Sequence, residues 1–304
     1  MITTLSVLFC SLSLAFPQRA QQTEIEEEDG SAAEELTPGE LNERFPWRTG
    51  EVRLGNGMAK LRLPAEYRYL DPEPSKAVLE DLWGNPPGEL TWGMIFPAEE
   101  GPFDEDGWAV VLRYEAEGHV ADADASEIDY DELLAEMQAD AQEENEARAA
   151  AGFGTLEIVG WAERPHYDPS AHELYWAKEL QFGGSPERTL NYDVRALGRK
   201  GVLSMNAVAG MSALPEVKRG MEVLLAAVEF GQGNRYEDFD SSVDGLAAYG
   251  IGGLIAGKFA LKAGLLKGLL ALLVAGKKLV ALAVVGIGMF FAKRFKSRKV
   301  QPAE

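Results

Sequence analysis

Apolar and polar residues alternate over 52–63 on both sides of Gly55-Asn56-Gly57, the pattern of two antiparallel strands joined by a tight turn. Residues 75–83 change to helical spacing and are closed by Gly84-Asn85-Pro86-Pro87. Short apolar, aromatic runs at 92–96 and 108–114 read as strands. Asp129 opens a helix that runs to about residue 151, with Glu132 three residues on as in a capping box and Gly152 placed to end it. Strands follow at 157–161, 174–182, 189–197 and 202–208, the last two joined by Arg199-Lys200-Gly201. A helix over 214–228 closes the region. Neighbouring strands with helices set apart predict an α+β domain over 46–240, built on a mainly antiparallel sheet with a few packed helices.

The two ends of the chain break this pattern. Residues 5–15 are a mostly apolar, uncharged run, too short to span a bilayer and of the length of a signal-peptide core. Ser13-Leu14-Ala15 supplies small residues before a cut, although residues 1–4 lack the usual basic charge. A signal peptide over 1–15 is therefore expected. An acidic linker over 16–45 follows, with eight acids and one arginine within 18–40, too polar to repay the entropy of ordering. At the far end, residues 279–292 are uncharged, about 21 Å of helix against a hydrocarbon core of roughly 30 Å. Lys277 and Lys278 before this run, and Lys293, Arg294 and Lys296 after it, can snorkel and lengthen the span. A longer helix would bury lysines at about 2.5–3.5 kcal/mol each. One transmembrane anchor over 277–294 and a basic tail over 295–304 are expected.

Charge sharpens the division. Residues 1–245 carry 48 acids and 19 bases, whereas residues 246–304 carry ten bases and one acid. The acidic part repels nucleic acid, which is bound by neutralising phosphates. The basic, apolar end points to a lipid bilayer. Basic residues flanking a span stay in the cytoplasm, so the folded domain belongs on the exported, periplasmic side of a bacterial inner membrane. The single cysteine, Cys10, falls inside the expected signal peptide, which leaves no thiol chemistry for the mature chain.

No motif assigns a reaction. Asp122-x-Asp124-x-Ser126 begins like a calcium loop, but Glu127 and Leu133 stand where that loop needs glycine and glutamate. His166 and His172 flank Pro169 and could approach each other across a turn, but no third ligand stands at zinc spacing, and with His119 they read as surface residues. Ser212 lacks the second glycine of a nucleophile elbow and reads as a helix cap. Gly183-Gly184 and Gly231-Gln232-Gly233 are turn glycines, and no phosphate loop is present. Trp83, Trp92, Trp108, Trp161 and Trp176 read as core residues before they read as a ligand groove. No cofactor and no catalytic residue is assigned.

Several longer strings carry a resemblance. They are Leu79-Glu80-Asp81-Leu82-Trp83-Gly84-Asn85-Pro86, Tyr175-Trp176-Ala177-Lys178-Glu179-Leu180, Leu190-Asn191-Tyr192-Asp193-Val194-Arg195-Ala196-Leu197-Gly198-Arg199 and Gly233-Asn234-Arg235-Tyr236-Glu237-Asp238-Phe239. With these the chain, over roughly residues 50–292, resembles the predicted membrane-anchored proteins of domain-of-unknown-function family 2167. The resemblance implies an exported, C-terminally anchored protein and carries over no activity. A sheet followed by a closing helix is also loosely similar to the Mog1/PsbP-like fold.

Residues 246–276 read as a glycine-rich, membrane-proximal helix. At 100° per residue, Gly250, Gly253, Gly257, Gly264 and Gly268 fall on one face. Such a face suits close helix–helix packing and predicts a homo-oligomer through the C-terminal helix. The functional expectation is a membrane-anchored binding or scaffolding module of the cell envelope. An envelope enzyme with a non-obvious site and a membrane-perturbing protein acting through its tail are the alternatives.

Overall fold

A computed structural model describes residues 37–85, 90–104, 106–150, 154–183 and 185–257. The expected signal peptide, anchor and basic tail lie outside the described residues, as do Gly264, Gly268 and the flanking Lys277, Lys278, Lys293, Arg294 and Lys296. No helix among the described residues is long and apolar enough to cross a membrane.

The chain opens with α1 (Pro38–Asn42), a turn of helix inside the stretch expected to be linker. Thr37 and Glu40 cap it reciprocally. Asn42 is buried and holds Asp104 and the Phe103 amide, so part of the stretch expected to be linker packs on the domain. The hairpin at the Gly-Asn-Gly turn is present as β1 (Gly50–Leu54) and β2 (Ala59–Leu63). β3 (Tyr67–Leu70) follows, and α2 (Pro72–Ala77) continues through a π turn at Val78–Leu82 to Trp83. Next come β4 (Gly93–Pro97), β5 (Ala109–Glu115) and the short β6 (His119–Ala121). α3 (Tyr130–Ala150) starts at Asp129, whose carboxylate accepts the amides of Asp131 and Glu132. β7 (Leu156–Asp168), β8 (Glu173–Phe182), β9 (Arg188–Leu197) and β10 (Val202–Gly210) form an antiparallel meander. α4 (Leu214–Ala226), β11 (Val228–Phe230), β12 (Leu246–Gly250) and α5 (Ile251–Ala256) complete the described chain.

Seven strands form the main antiparallel sheet in the order β3-β4-β5-β10-β9-β8-β7. Alternation along β9 and β10 sends Leu190, Tyr192, Val194, Leu203, Met205 and Ala207 to one face, here the front. The small sheet β1-β2-β11 and the amphipathic helix α4 cover that face. Val217, Met221 and Leu224 of α4 recur at helical spacing and are fully buried, each contributing about 1.5–3 kcal/mol of transfer free energy. On the back, α2 and Trp83 seal one apolar cluster over β4 and β5. α3 and α5 seal a second over β7, β8 and β9. α3 also protects the sheet edge, because Gln138 and Asn145 hydrogen-bond the backbone of β7 at Ile158, Val159 and Leu156.

Three expectations need correction. Ser212 does not cap α4; it lies within a 3-10 turn (Met211–Ala213), and the cap position falls on Ala213 without a side-chain bond. His119 is buried rather than on the surface, because β6 carries it into a stack of rings described below. Residues 246–256 are not the start of one long helix. β12 pairs in parallel with β6, and α5 is short. Gly250 is extended, and Gly257 has φ +78, a left-handed conformation that ends a helix. Gly250, Gly253 and Gly257 therefore do not share a helical stripe in this part of the chain. Their closeness to neighbours is local: a Cβ on Gly250 would meet Asp124, and one on Gly253 would meet Tyr249.

Candidate functional site

α4 packs chiefly on β9 and β10 and leaves a corner of the front face beside β7 and β8 uncovered. That uncovered corner forms a cleft of about 640 Å³ against the flank of the helix. β7 supplies Glu163 and His166, with Asp168 at its end; β8 supplies Glu173 and Tyr175; β9 supplies Tyr192 and Val194. Lys218, Met221, Glu222 and Leu225 of α4 make the wall. A smaller cleft of about 210 Å³ adjoins it, shares Glu173 and Leu225, and is lined by His172, Phe230, Arg235 and Tyr236. The concavity thus has an apolar floor under a rim with more acids than bases, the form of many ligand sites.

Glu163 is the best-held polar group in the cleft. Its carboxylate accepts a hydrogen bond from Lys218 Nζ at 2.6 Å and another from the Tyr192 hydroxyl at 3.2 Å. Burial, and then the Glu163 charge, push the Tyr192 hydroxyl up from its ordinary value, so it stays a neutral donor. The hydrogen bond to Glu163 raises the Lys218 ammonium. Glu173 differs. Burial and then the nearby Asp168 charge push its carboxyl up, and it has no cation within ion-pair distance among the described residues. A carboxylate in that state gains most from an incoming cation. His166 stands across the strand pair from Tyr175, ring centroids 5.0 Å apart, at the same end of the cleft.

The other histidines belong to a ring column behind the smaller cleft. His172 stacks on Tyr236 at 3.9 Å, Tyr236 meets His119 at 4.2 Å, and His119 stacks on Phe239 at 4.0 Å. The Tyr167 hydroxyl donates to Asp122 at 2.8 Å and lies 3.2 Å from His172 Nδ1. Burial pulls His119 below the usual histidine range, against the opposing pull of the Arg199 carbonyl and Asp122. The unfolded chain, titrating near 6.5, then takes up this proton more readily than the folded one. Stability is intact above that pH and falls as pH drops through it. Thermal midpoints measured from pH 8 to pH 5 should decline more steeply in the parent than in His119→Phe, which keeps the stack and removes the titration. Equal slopes would show that His119 does not set the response.

The residues singled out from sequence scatter. His119 and His172 meet through Tyr236, whereas His166 faces the larger cleft. Asp122 holds Tyr167, and Asp124 caps α5 by accepting the amides of Ile251 and Gly252. Among the described residues no cluster of three or more His, Cys, Asp or Glu side chains that could hold a metal ion occurs. Trp83, Trp108 and Trp176 are core residues, and no tryptophan lines either cleft. Glu163, Tyr192 and Lys218 escaped sequence reasoning. They are 29 and 55 residues apart along the chain, and no spacing rule links them.

A sequence profile described as "Protein of unknown function (DUF2167)" matches residues 47–288. No curated protein matches the chain. Among solved structures, the solution structure of cyanobacterial PsbP (CyanoP) from Synechocystis is similar at 8% identity and a TM-score of 0.34, covering 66% of this chain and 98% of that one. A likeness that faint bears on neither site nor activity.

Proposed function

Because the chain belongs to the family described as protein of unknown function (DUF2167), membership brings no activity with it, and we propose that the protein is a membrane-tethered binding module of the cell envelope. Its ligand is cationic with an apolar part, such as a basic peptide segment. The carrying observation is the cleft between α4 and the front of β7 and β8, lined by an unpaired, half-buried Glu173 together with Val194, Met221 and Leu225. The negative rim favours a cation, and the apolar floor favours a ligand with a hydrophobic side chain.

Titration calorimetry of the full-length protein with an acetyl-Lys-Leu-Lys-amide peptide tests this. Binding is expected, and Glu173→Gln is expected to weaken it about tenfold, or about 1.4 kcal/mol. Equal binding of acetyl-Glu-Leu-Glu-amide, or none of either peptide, would remove the cleft as a cation site.

The tether rests on the charge asymmetry and the apolar run at 279–292. Single cysteines at Ser170, exposed in the β7–β8 turn, and at Ser297 can be probed with a membrane-impermeant thiol reagent in intact spheroplasts. Labelling at 170 and protection at 297 is the expected result. The reverse pattern would overturn the topology.

A further inference from the structure

The small sheet β1-β2-β11 ends on β11, which has β2 on one side only. Its register sets Val228 opposite Leu61, Glu229 opposite Lys60 and Phe230 opposite Ala59. At either end, the Arg62 N–H donates to the Ala227 carbonyl and the Gly231 N–H to the Met58 carbonyl, both at 2.9 Å. Hydrogen-bonded pairs alternate along an antiparallel ladder. Glu229 therefore bonds Lys60, and the N–H and C=O of Val228 and Phe230 point away from β2. No strand among the described residues takes them up.

An unpaired strand edge is a template for another chain. This one borders a concavity. Val228 and Phe230 line the smaller cleft together with Glu173 of β8 and Ala196 and Leu197 of β9. Their side chains pack toward the front of the main sheet, and Glu229 is exposed between them. The lining carries three carboxylates, Glu173, Glu229 and Glu237, against Arg235 and His172. Glu229 is answered by Arg62 at 3.0 Å, and Glu237 approaches Arg235 at 3.9 Å. Glu173, which has no paired base among the described residues, stands where the smaller cleft joins the larger.

We propose that a basic peptide binds by strand addition, as a fourth strand of the small sheet along the free edge of Val228 and Phe230. The proposal rests on the reading of the clefts as a site for a cationic, partly apolar ligand and gives that ligand its conformation. Backbone hydrogen bonds to Val228 and Phe230 hold the peptide extended, while alternate side chains face the apolar lining and a basic residue reaches Glu173. The excess of carboxylates in the lining favours a basic partner over an acidic one.

The test uses the full-length protein with acetyl-Lys-Leu-Lys-Leu-Lys-amide and two backbone analogues. One is N-methylated at both leucines, the other at the second and third lysines. In an extended strand only one of these two sets of N–H groups faces β11. One analogue should therefore bind roughly tenfold more weakly than the unmethylated peptide, and the other within about twofold of it. Residue-resolved amide exchange should slow at Val228 and Phe230 when the peptide binds. It should not change at Glu51 and Arg53, whose amides by the same alternation point outward from β1, on the other edge of the sheet. Equal affinities of the two analogues, or unchanged exchange at Val228 and Phe230, would overturn strand addition. If the unmethylated peptide still binds in that case, and Glu173→Gln still weakens it, the cation site stands without the added strand. No binding of the unmethylated peptide would remove both. A protein that is dimeric without peptide, with Val228 and Phe230 already protected, would place a second copy on this edge and also overturn the proposal.

Discussion

Trp83→Ala is expected to lower the stability of the protein by about 3–5 kcal/mol. For a domain of this size that is a fall of roughly 6–20 °C in the thermal midpoint. The indole is 6% exposed, stands edge-on to Phe96 at 6.3 Å and donates to the carbonyl of Pro102 at 3.2 Å. It seals the apolar cluster of α2 against β4 and β5 together with Val78 and Leu79. Truncation opens a cavity and also strands the Pro102 carbonyl, so two costs fall on one site. Trp83→Phe should recover most of the packing and not the hydrogen bond. A midpoint within 2–3 °C of the parent for the alanine variant, well short of that fall, would show that the cluster collapses around the gap.

Gly93→Ala should be the most damaging one-atom change in the sheet. Gly93 opens β4 with φ +115, where a side chain costs about 1–3 kcal/mol in backbone strain alone. An added Cβ would also lie 2.5 Å from the carbonyl oxygen of Leu70 and equally close to the Tyr69 ring and hydroxyl. That hydroxyl donates to the Trp92 carbonyl, so the intrusion disturbs β3 and the turn into β4 together. Gly160→Ala is the matched control, because nothing lies within 4 Å of its added Cβ and its φ is not left-handed. Urea midpoints should fall sharply for the first variant and stay near the parent value for the second. Similar midpoints would mean that the β3–β4 pair shifts to admit the methyl group.

Much of this architecture could be read from periodicity. The hairpin at Gly55-Asn56-Gly57, the helix opened by Asp129 and the strands over 174–210 stand where alternation and caps put them. These elements carry their signal in neighbouring residues. β3 was not legible, because Arg68 interrupts its apolar run. In the fold its guanidinium lies 4.0 Å from the Trp47 ring centre and pairs with Glu43 at 2.9 Å, partners some twenty residues away. β12 was read as helix because its alanines and glycines suit either state. Its parallel pairing with β6 depends on residues more than a hundred positions upstream. The cleft was invisible for the same reason. What makes it is the corner of the front face that α4 does not reach, and a sequence does not record what a neighbouring element leaves bare.

The exit of the chain from the domain has a mechanical consequence. β12 runs parallel to β6, with Leu246 opposite His119 and Gly250 opposite Ala121. Asp124 grips the first amides of α5, and Ile251, Leu254 and Ile255 are buried. Arg199 and Lys200 clamp Asp244 just upstream, at 2.7 Å and 3.2 Å. A pull on the chain beyond Gly257 therefore meets three fastenings in series before it reaches the main sheet. The junction works as a strain relief, like the collar on a cable. Under the proposed tether, thermal jostling or drag would be absorbed at β12 and α5 before it reached the cleft on the opposite face of the sheet.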